Sequence, residues 1–454
     1  MKIAARDAAA AWGIAPPGDF DFDGVAVDSR LVRPGCLFVA LVGARADGHD
    51  FLSEAFVRGA RAALVARIPS GWEPKRPLFV VPDPLDALQS LAARTRRREA
   101  FRLAAITGSA GKTTTKELAA AIVSRKFRCG KTPGNLNSLI GFPMAMLNLE
   151  PGLEAVVGEM GMSTPGELSR LSRLFRPEVA AITNVAAAHA QNFPSLEAIA
   201  DAKWEILDGL SDDGALVFNA DDPRLLARAR RYAGRKISFG FGPSAEVSAS
   251  GVRPDGISAM AFTLSMGEAC APVRLPLAGR HQVANCLCAA AVAFAWGMTA
   301  AEVALVAESF GPPERRGRGY RLRSGALLVD DSYNSNPASL EAGLEWLREA
   351  RVSGRRIALL GDMLELGPEA PRYHRQAGER AAASVDRLVC VGPLAAEIAS
   401  GAVAAGLPAE AVATAATPEE AADSIRGELR EGDLVWVKGS RGSRMDLACD
   451  ALRG

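Results

Sequence analysis

Lysine is scarce in this chain of 454 residues: there are nine, which leaves 44 arginines among the 53 basic side chains. Histidine is scarcer still, at positions 49, 189, 281 and 374. A general bias toward Ala, Arg and Gly accounts for the trend, so each surviving Lys or His raises the question of what Arg could not do in its place. Net charge is nearly absent, at +1, which gives no basis for attraction to nucleic acid or a membrane over the whole surface. The seven cysteines form no disulfide or zinc pattern. Cys286 and Cys288 alone are closely spaced, and they lie in an Ala-rich helical run, so free thiols in a reducing compartment are expected. No apolar segment stands behind the N-terminal Lys2, Arg6 and Asp7, so a signal peptide is not expected. The stretch 281–301 lacks Asp, Glu, Lys and Arg, but its His, Gln, Asn, Gly and Thr fit a buried helix better than a membrane span. The expectation is a soluble, cytoplasmic, monomeric protein.

What is present is a turn-rich alternation of short apolar runs and helical patterns, with 44 Gly and 27 Pro. At roughly 100–200 residues per domain, the length suits two to four domains. Three blocks emerge. Residues 1–99 hold the runs CLFVAL (36–41), AALVA (62–66) and LFVVP (78–82), and close on the charged stretch Arg94–Glu99, expected to be a solvated helix end or linker. Residues 100–312 hold FRLAAI (101–106), EAVVGEM (154–160), VAAITNV (179–185) and ALVFN (215–219), separated by helical segments. This alternation predicts a mostly parallel sheet covered by helices. Past Gly311-Pro312-Pro313, residues 313–454 repeat the alternation with ALLVDD, IALLGD, RLVCVG and DLVWVKG, predicting a second doubly wound sheet. The fold class is therefore α/β in three domains.

The sharpest local feature is TGSAGKTTT at 107–115, between a buried strand and a helix. Gly108 and Gly111 let the backbone curl around Ser109 and Ala110 so that successive N–H groups face an anion, and the helix start adds positive potential. Lys112 can reach the β- and γ-phosphates; the hydroxyl of Thr113, with Thr114 behind it, can ligate Mg²⁺. The general P-loop pattern wants a glycine where Ile106 stands, so the loop is a shorter one. The expected ligand is ATP. Three more residues fall at strand ends or on a following helix: Glu159, either a Mg²⁺ ligand or a solvated carboxylate; His189, structural or a ligand; and Lys203, by default a surface lysine of an amphipathic helix.

Taken in order, TGSAGKTTT, GNLNSLIGFP (134–143), Glu159, TNVAAAHA (183–190), Ala202-Lys203, GRHQVAN (279–285) and the C-terminal strands resemble the Mur ligase family, ATP-dependent amide-forming enzymes of peptidoglycan precursor synthesis. The resemblance spans almost the whole chain. DDSYNSNP (330–337), GDMLELG (361–367), VKGSR (437–441), DSRLVRPGCLFVAL (28–41) and DGHDF (47–51) resemble the branch that adds D-alanyl-D-alanine to a UDP-N-acetylmuramoyl-tripeptide. Two positions depart from the family pattern: Trp204 replaces a small residue, and Gln282 stands where Asn is frequent.

The resemblance implies an N-terminal UDP-binding domain, a central ATP domain and a C-terminal Rossmann-like domain. It also implies that Lys112, Glu159, His189 and Lys203 are catalytic, the last as a CO₂ adduct (a carbamate) that, with Thr113, Glu159 and His189, holds Mg²⁺. It places Asn285 at adenine, and Arg318 with Asp330 or Asp331 at the phosphates and ribose. It puts Ser29, Arg30 and His49 near the UDP group, Asn135 and Asn137 at the nucleotide-sugar, and Asn334 and Ser335 at the dipeptide. For Arg30 a surface ion pair is an open alternative; Lys438 either helps position anionic groups or makes a structural salt bridge; His374 is expected to be structural. Asp221-Asp222-Pro223-Arg224 mimics a diaminopimelate-recognition motif but follows a strand of the middle block, so it is expected to be a turn and helix start. A folate-type polyglutamate ligase would share the middle block but lack DGHDF and DDSYNSNP. A non-catalytic nucleotide-binding regulator would not need Glu159, His189 and Lys203 together.

Overall fold

A computed structural model describes every residue except 45, 73–75, 188 and 189. Among the described residues the chain forms two compact units. One comprises Met1–Ile106, Lys126–Ala180 and Glu205–Gly214, the other Thr107–Arg125, Ala181–Trp204 and Ala215–Gly454.

In the first unit, Val25–Ala26, Leu37–Val39, Ala62–Val65 and Leu78–Val80 pair in parallel as a four-stranded sheet, and Lys2–Ala4 pairs antiparallel with Asp21–Asp23. The strands Leu37–Val39 and Ala62–Val65 are buried throughout, as their unbroken apolar sequences require. The helix Pro84–Glu99 starts where Asp83 accepts the N–H groups of Leu85 and Asp86 and Pro84 takes the first position. Its end is solvated at Arg94, Arg97 and Arg98, as expected, but not at Arg96. Arg96 is buried, ion-paired to Glu178 at 2.9 Å and stacked 4.5 Å from the Phe101 ring. The aliphatic stem and flat guanidinium cover apolar surface while the carboxylate compensates the charge.

The strands foreseen for the middle block are present in both units. In the second, Ala269–Leu275, Met260–Met266, Val247–Pro254, Arg235–Gly240 and Ala215–Asn219 lie side by side in that order; in the first, Arg102–Thr107, Ala155–Glu159 and Cys129–Lys131 do. Arg102–Thr107, Ala155–Glu159 and Cys129–Lys131 run parallel, as expected. The edge formed by residues 247–275 is instead an antiparallel meander, whose strands alternate buried and exposed residues because one face meets water.

The C-terminal segment builds a six-stranded sheet in the order Arg318–Arg321, Leu327–Asp331, Leu434–Lys438, Arg356–Gly361, Arg387–Val391 and Val412–Ala415. All pairs are parallel except the first. Trp436 is its largest fully buried side chain; it packs edge-on to Trp346, and Gly343 leaves it room, since a Cβ there would strike the indole. No helix among the described residues is long and apolar enough to cross a membrane; the run 281–301 forms the helix Arg280–Ala295, a turn and the start of Ala300–Ser309. Cys286, Cys288, Cys390, Cys449 and Cys36 are buried free thiols, Cys129 is partly buried and Cys270 is exposed.

Candidate active site

The strand Arg102–Thr107 delivers the chain to Gly108, and the helix Lys112–Val123 leaves from Gly111. Both glycines have positive φ, +148° and +81°, and both are closely packed. A Cβ on Gly108 would collide with the Thr183 hydroxyl, and one on Gly111 with the Asn285 amide oxygen. Bare backbone is therefore needed twice, for the turn and for its neighbours. The loop is held from the segment 183–186. Asn184 Oδ1 accepts the Ala110 N–H at 3.0 Å, Thr183 Oγ1 donates to the Ala110 carbonyl at 2.6 Å, and Ser109 Oγ exchanges hydrogen bonds with Ala186 N and O at 2.9 and 2.8 Å. Lys112 Nζ reaches back to the Gly108 carbonyl at 2.7 Å, so its charge lies across the mouth of the turn.

Lys203 is not the surface lysine that amphipathic spacing makes the default. On the helix Leu196–Trp204 it is only 2% exposed. Burial, and then the nearby charge of Lys112, hold its amine well below the ordinary lysine pKa. A neutral amine is the form able to add CO₂.

From the C-terminal segment, Arg316 donates to Thr113 Oγ1 at 3.1 Å with its guanidinium 3.9 Å from the Tyr333 ring centroid. Asn336 Nδ2 donates to the Ser109 carbonyl at 3.2 Å. Neither was singled out from sequence. Arg318, which was, lies exposed on the edge strand with its guanidinium 5.6 Å from the Tyr320 ring. Three arginines in five residues, RRGRG, left no local signal to choose among them; what separates them is the Tyr333 face, and a stacking partner is not visible in spacing.

The two aspartates separate cleanly. Asp330 is buried and turned into its own strand end, accepting Ser332 N at 3.1 Å and Ser332 Oγ at 2.6 Å. Asp331 pairs with Lys438 at 2.6 Å, and Lys438, 3% exposed, also donates to the Asn334 carbonyl at 3.1 Å. The salt-bridge alternative for Lys438 is thus the one realised, and it braces the turn carrying Asn334 and Ser335. Ser440 Oγ donates to the Ser335 carbonyl at 2.9 Å.

Beside these groups lies a small, partly open pocket lined by Leu277, Ala278, His281, Gln282, Arg316, Gly317, Asp331, Trp346 and Trp436 among others. His281 Nδ1 is shielded there without a hydrogen-bond partner among the described residues, and burial pushes its pKa down to about 4 despite Asp331 nearby. Asn285 is also buried, donates to Gln282 Oε1 at 2.9 Å and faces Gly111.

In the first unit, Glu159 is 3% exposed, so the solvated alternative does not apply; Asn137 Nδ2 donates to its Oε1 at 2.7 Å, and Thr132 Oγ1 accepts its N–H at 3.0 Å. Asn135 is exposed on the preceding turn. Ser29 is buried and donates to Glu54 at 2.9 Å. Arg30 is exposed and paired to Asp28 at 2.6 Å, the ion pair left open above, and that pairing holds the Asp28 carboxyl below its usual range. His49 is buried with both ring nitrogens engaged: Ala66 N donates to Nε2 at 3.0 Å, which leaves the proton on Nδ1 facing Asp47 at 2.6 Å. His374 is likewise enclosed, accepting Met363 N and facing the Ala370 carbonyl. His189 lies outside the described residues. Among those residues no three His, Cys, Asp or Glu side chains cluster as a metal site.

This phosphate loop, set in an α/β chain that ends in a mostly parallel six-stranded sheet, defines a nucleotide-dependent enzyme. Three family models match in order: "Mur ligase family, catalytic domain" over residues 21–96, "Mur ligase middle domain" over 106–293 and "Mur ligase, glutamate ligase domain" over 317–441. The chain belongs to the Mur ligase family of ATP-dependent acid–amino-acid ligases, with its N-terminal, middle and C-terminal domains. Within that family it is 39% identical over 381 residues to the UDP-N-acetylmuramoyl-tripeptide–D-alanyl-D-alanine ligase of Escherichia coli (strain K12), covering 82% of each chain. It is 33% identical to the protein of the same name from Bacillus subtilis (strain 168), covering 93% of this chain and 91% of the other. MurF from Acinetobacter baumannii superposes with a TM-score of 0.89 at 28% identity over 100% of this chain and 99% of that one. MurF ligase from Thermotoga maritima in complex with ADP gives 0.83 at 28% identity, covering 95% and 97%. Folylpolyglutamate synthase from Mycobacterium tuberculosis shares the fold at 18% identity.

Proposed function

We propose that this chain joins D-alanyl-D-alanine to UDP-N-acetylmuramoyl-tripeptide at the expense of ATP, giving the pentapeptide precursor of peptidoglycan in the bacterial cytoplasm. The observation that carries the reading is the pairing of a phosphate loop with a buried Lys203, whose pKa burial and the charge of Lys112 hold below the ordinary lysine value. The choice of substrates rests on the likeness to the relatives just described. We assign the UDP-binding domain to residues 1–99, the ATP domain to 100–312 and the Rossmann-like domain to 313–454, in a monomer.

A carboxylate acylates poorly, so the tripeptide carboxylate oxygen attacks the γ-phosphorus and ADP leaves. The dipeptide amine then adds to the acyl phosphate carbonyl, loses a proton and expels phosphate as the amide forms. Every participant is anionic or becomes so, which makes charge neutralisation the main catalytic task. Lys112 supplies it at the β/γ-phosphates and Arg316 beside Thr113. In its neutral form the Lys203 amine can bond to the carbon of CO₂ and lose a proton to give a carbamate, an anion that the Lys112 charge would then favour. Thr113, Glu159, His189 and the carbamate are the donors we assign to Mg²⁺; the hydroxyl and carboxylate oxygens suit so hard a cation. When bound, Mg²⁺ screens the charge on the transferring phosphoryl group. Asn285 is assigned to adenine, Asp331 to the ribose side, and Asn334 and Ser335 to the dipeptide. Asn135 and Asn137 are assigned to the nucleotide-sugar. At the UDP end the exposed Arg30 makes contact while Ser29 and His49 shape the turn. Phosphate release measured with ATP, Mg²⁺ and both substrates tests the proposal: it should require the dipeptide and the UDP-tripeptide together.

A further inference from the structure

The side chains of the segment Asn219-Ala220-Asp221-Asp222 grip the elements that hold the loop. Asn219 Nδ2 donates to the Thr183 carbonyl at 3.1 Å. Asp222, 9% exposed, splits its carboxylate: Oδ1 caps the helix Pro223–Arg231 by accepting Arg224 N at 3.0 Å, and Oδ2 accepts Val185 N at 2.8 Å in a buried bond. These two residues thus fix the backbone on either side of Asn184, whose neighbours and own side chain fasten Ser109 and Ala110. Asp221 works in the other direction. Its carboxylate accepts Phe241 N at 2.8 Å, and the Phe241 ring lies 3.8 Å from the guanidinium of Arg280, first residue of the helix that sets Asn285 against Gly111.

We propose that Asn219, Asp221 and Asp222 are positioning residues that set the phosphate loop from both sides, so that ATP affinity depends on side chains that never touch the nucleotide. The proposal rests on the nucleotide reading of the loop and extends it. The physical case is one of shape. An anion cradle works only when its N–H groups converge, and a carboxylate accepting a buried N–H is among the stronger fixed points a protein can build. The role of Asp222 also goes beyond the helix start expected from sequence, because capping uses only one of its two oxygens.

Asp222→Ser separates the two duties. Serine is a good N-cap, but its one short hydroxyl cannot also reach Val185. The substitution removes a negative charge, which through space would tighten anion binding, so weakening has to come from lost positioning. Calorimetric titration of the full chain with a non-hydrolysable ATP analogue and Mg²⁺ should give a Kd on the order of tenfold higher for Asp222→Ser, with Tm within a few degrees of wild type. Asn219→Ala, which frees Thr183 without changing charge, should weaken the analogue severalfold and stands in should the first variant fail to fold. At saturating ATP, the KM for D-alanyl-D-alanine should stay within about twofold of wild type. Analogue affinity within twofold of wild type in a folded variant, whatever Tm does, overturns the proposal. Wild type failing to bind the analogue overturns the nucleotide reading and this inference with it.

Discussion

Lys203 shows what lysine offers in a chain dominated by arginine. Arginine cannot give up its proton, whereas burial and the charge of Lys112 lower the pKa of the Lys203 amine. Lys203→Arg should lower turnover at least about 100-fold, read by phosphate release; activity within tenfold of wild type would show that no neutral amine is needed. His281 gives a pH signature. Its folded pKa of about 4 lies below the unfolded value near 6.5, so between those values the unfolded chain binds more protons. Its contribution to stability is complete above pH 6.5 and is lost as pH falls toward 4. Between pH 7 and 4.5 the wild type should lose on the order of 2 kcal/mol more stability than His281→Asn, measured by denaturant unfolding; parallel curves would contradict this. Single residues were legible in the sequence where a motif singled them out, as with Lys112. They were illegible where a contact depends on a partner brought from elsewhere: Arg316 meets Thr113 and the Tyr333 ring, Asp331 meets Lys438, and Ser332 takes Asp330.

At the level of elements, the runs with continuous apolar character were readable because a strand covered on both faces has no polar side to obscure it. Ala155–Glu159, Leu327–Asp331 and Leu434–Lys438 are of this kind. The meander 247–275 was missed, since its residues alternate between a buried and a wet face and Gly251, Pro254 and Gly256 break the pattern. Helix starts carry a second function that sequence conceals. Asn336 caps Pro337–Glu349 through its side-chain oxygen, which accepts Ser339 N at 2.9 Å, while its amide nitrogen donates to the Ser109 carbonyl. Asn336→Asp keeps the cap and loses the donor. Stability should change by less than about 0.5 kcal/mol, while the KM for ATP rises severalfold in steady-state assays. An unchanged KM would make Asn336 a cap and nothing more.

For the molecule as a whole, a net charge of +1 conceals strong local fields. Lys112, Arg316 and Lys438 are each fixed by a named acceptor, at Gly108, Thr113 and Asp331. A chain so balanced can gather phosphates without a basic surface because the work is done at short range, where screening by salt is weak. The order of the motifs along the chain was legible because the family resemblance runs nearly end to end. The choice of substrates is the central claim, and one measurement bears on it most directly: phosphate release by the full chain with ATP, Mg²⁺, UDP-N-acetylmuramoyl-tripeptide and D-alanyl-D-alanine, with mass analysis of the nucleotide product. The account predicts one phosphate per pentapeptide formed and no turnover when either acceptor or donor is withheld. ATP turnover that ignores the dipeptide, or a product extended by a different amino acid, would contradict it.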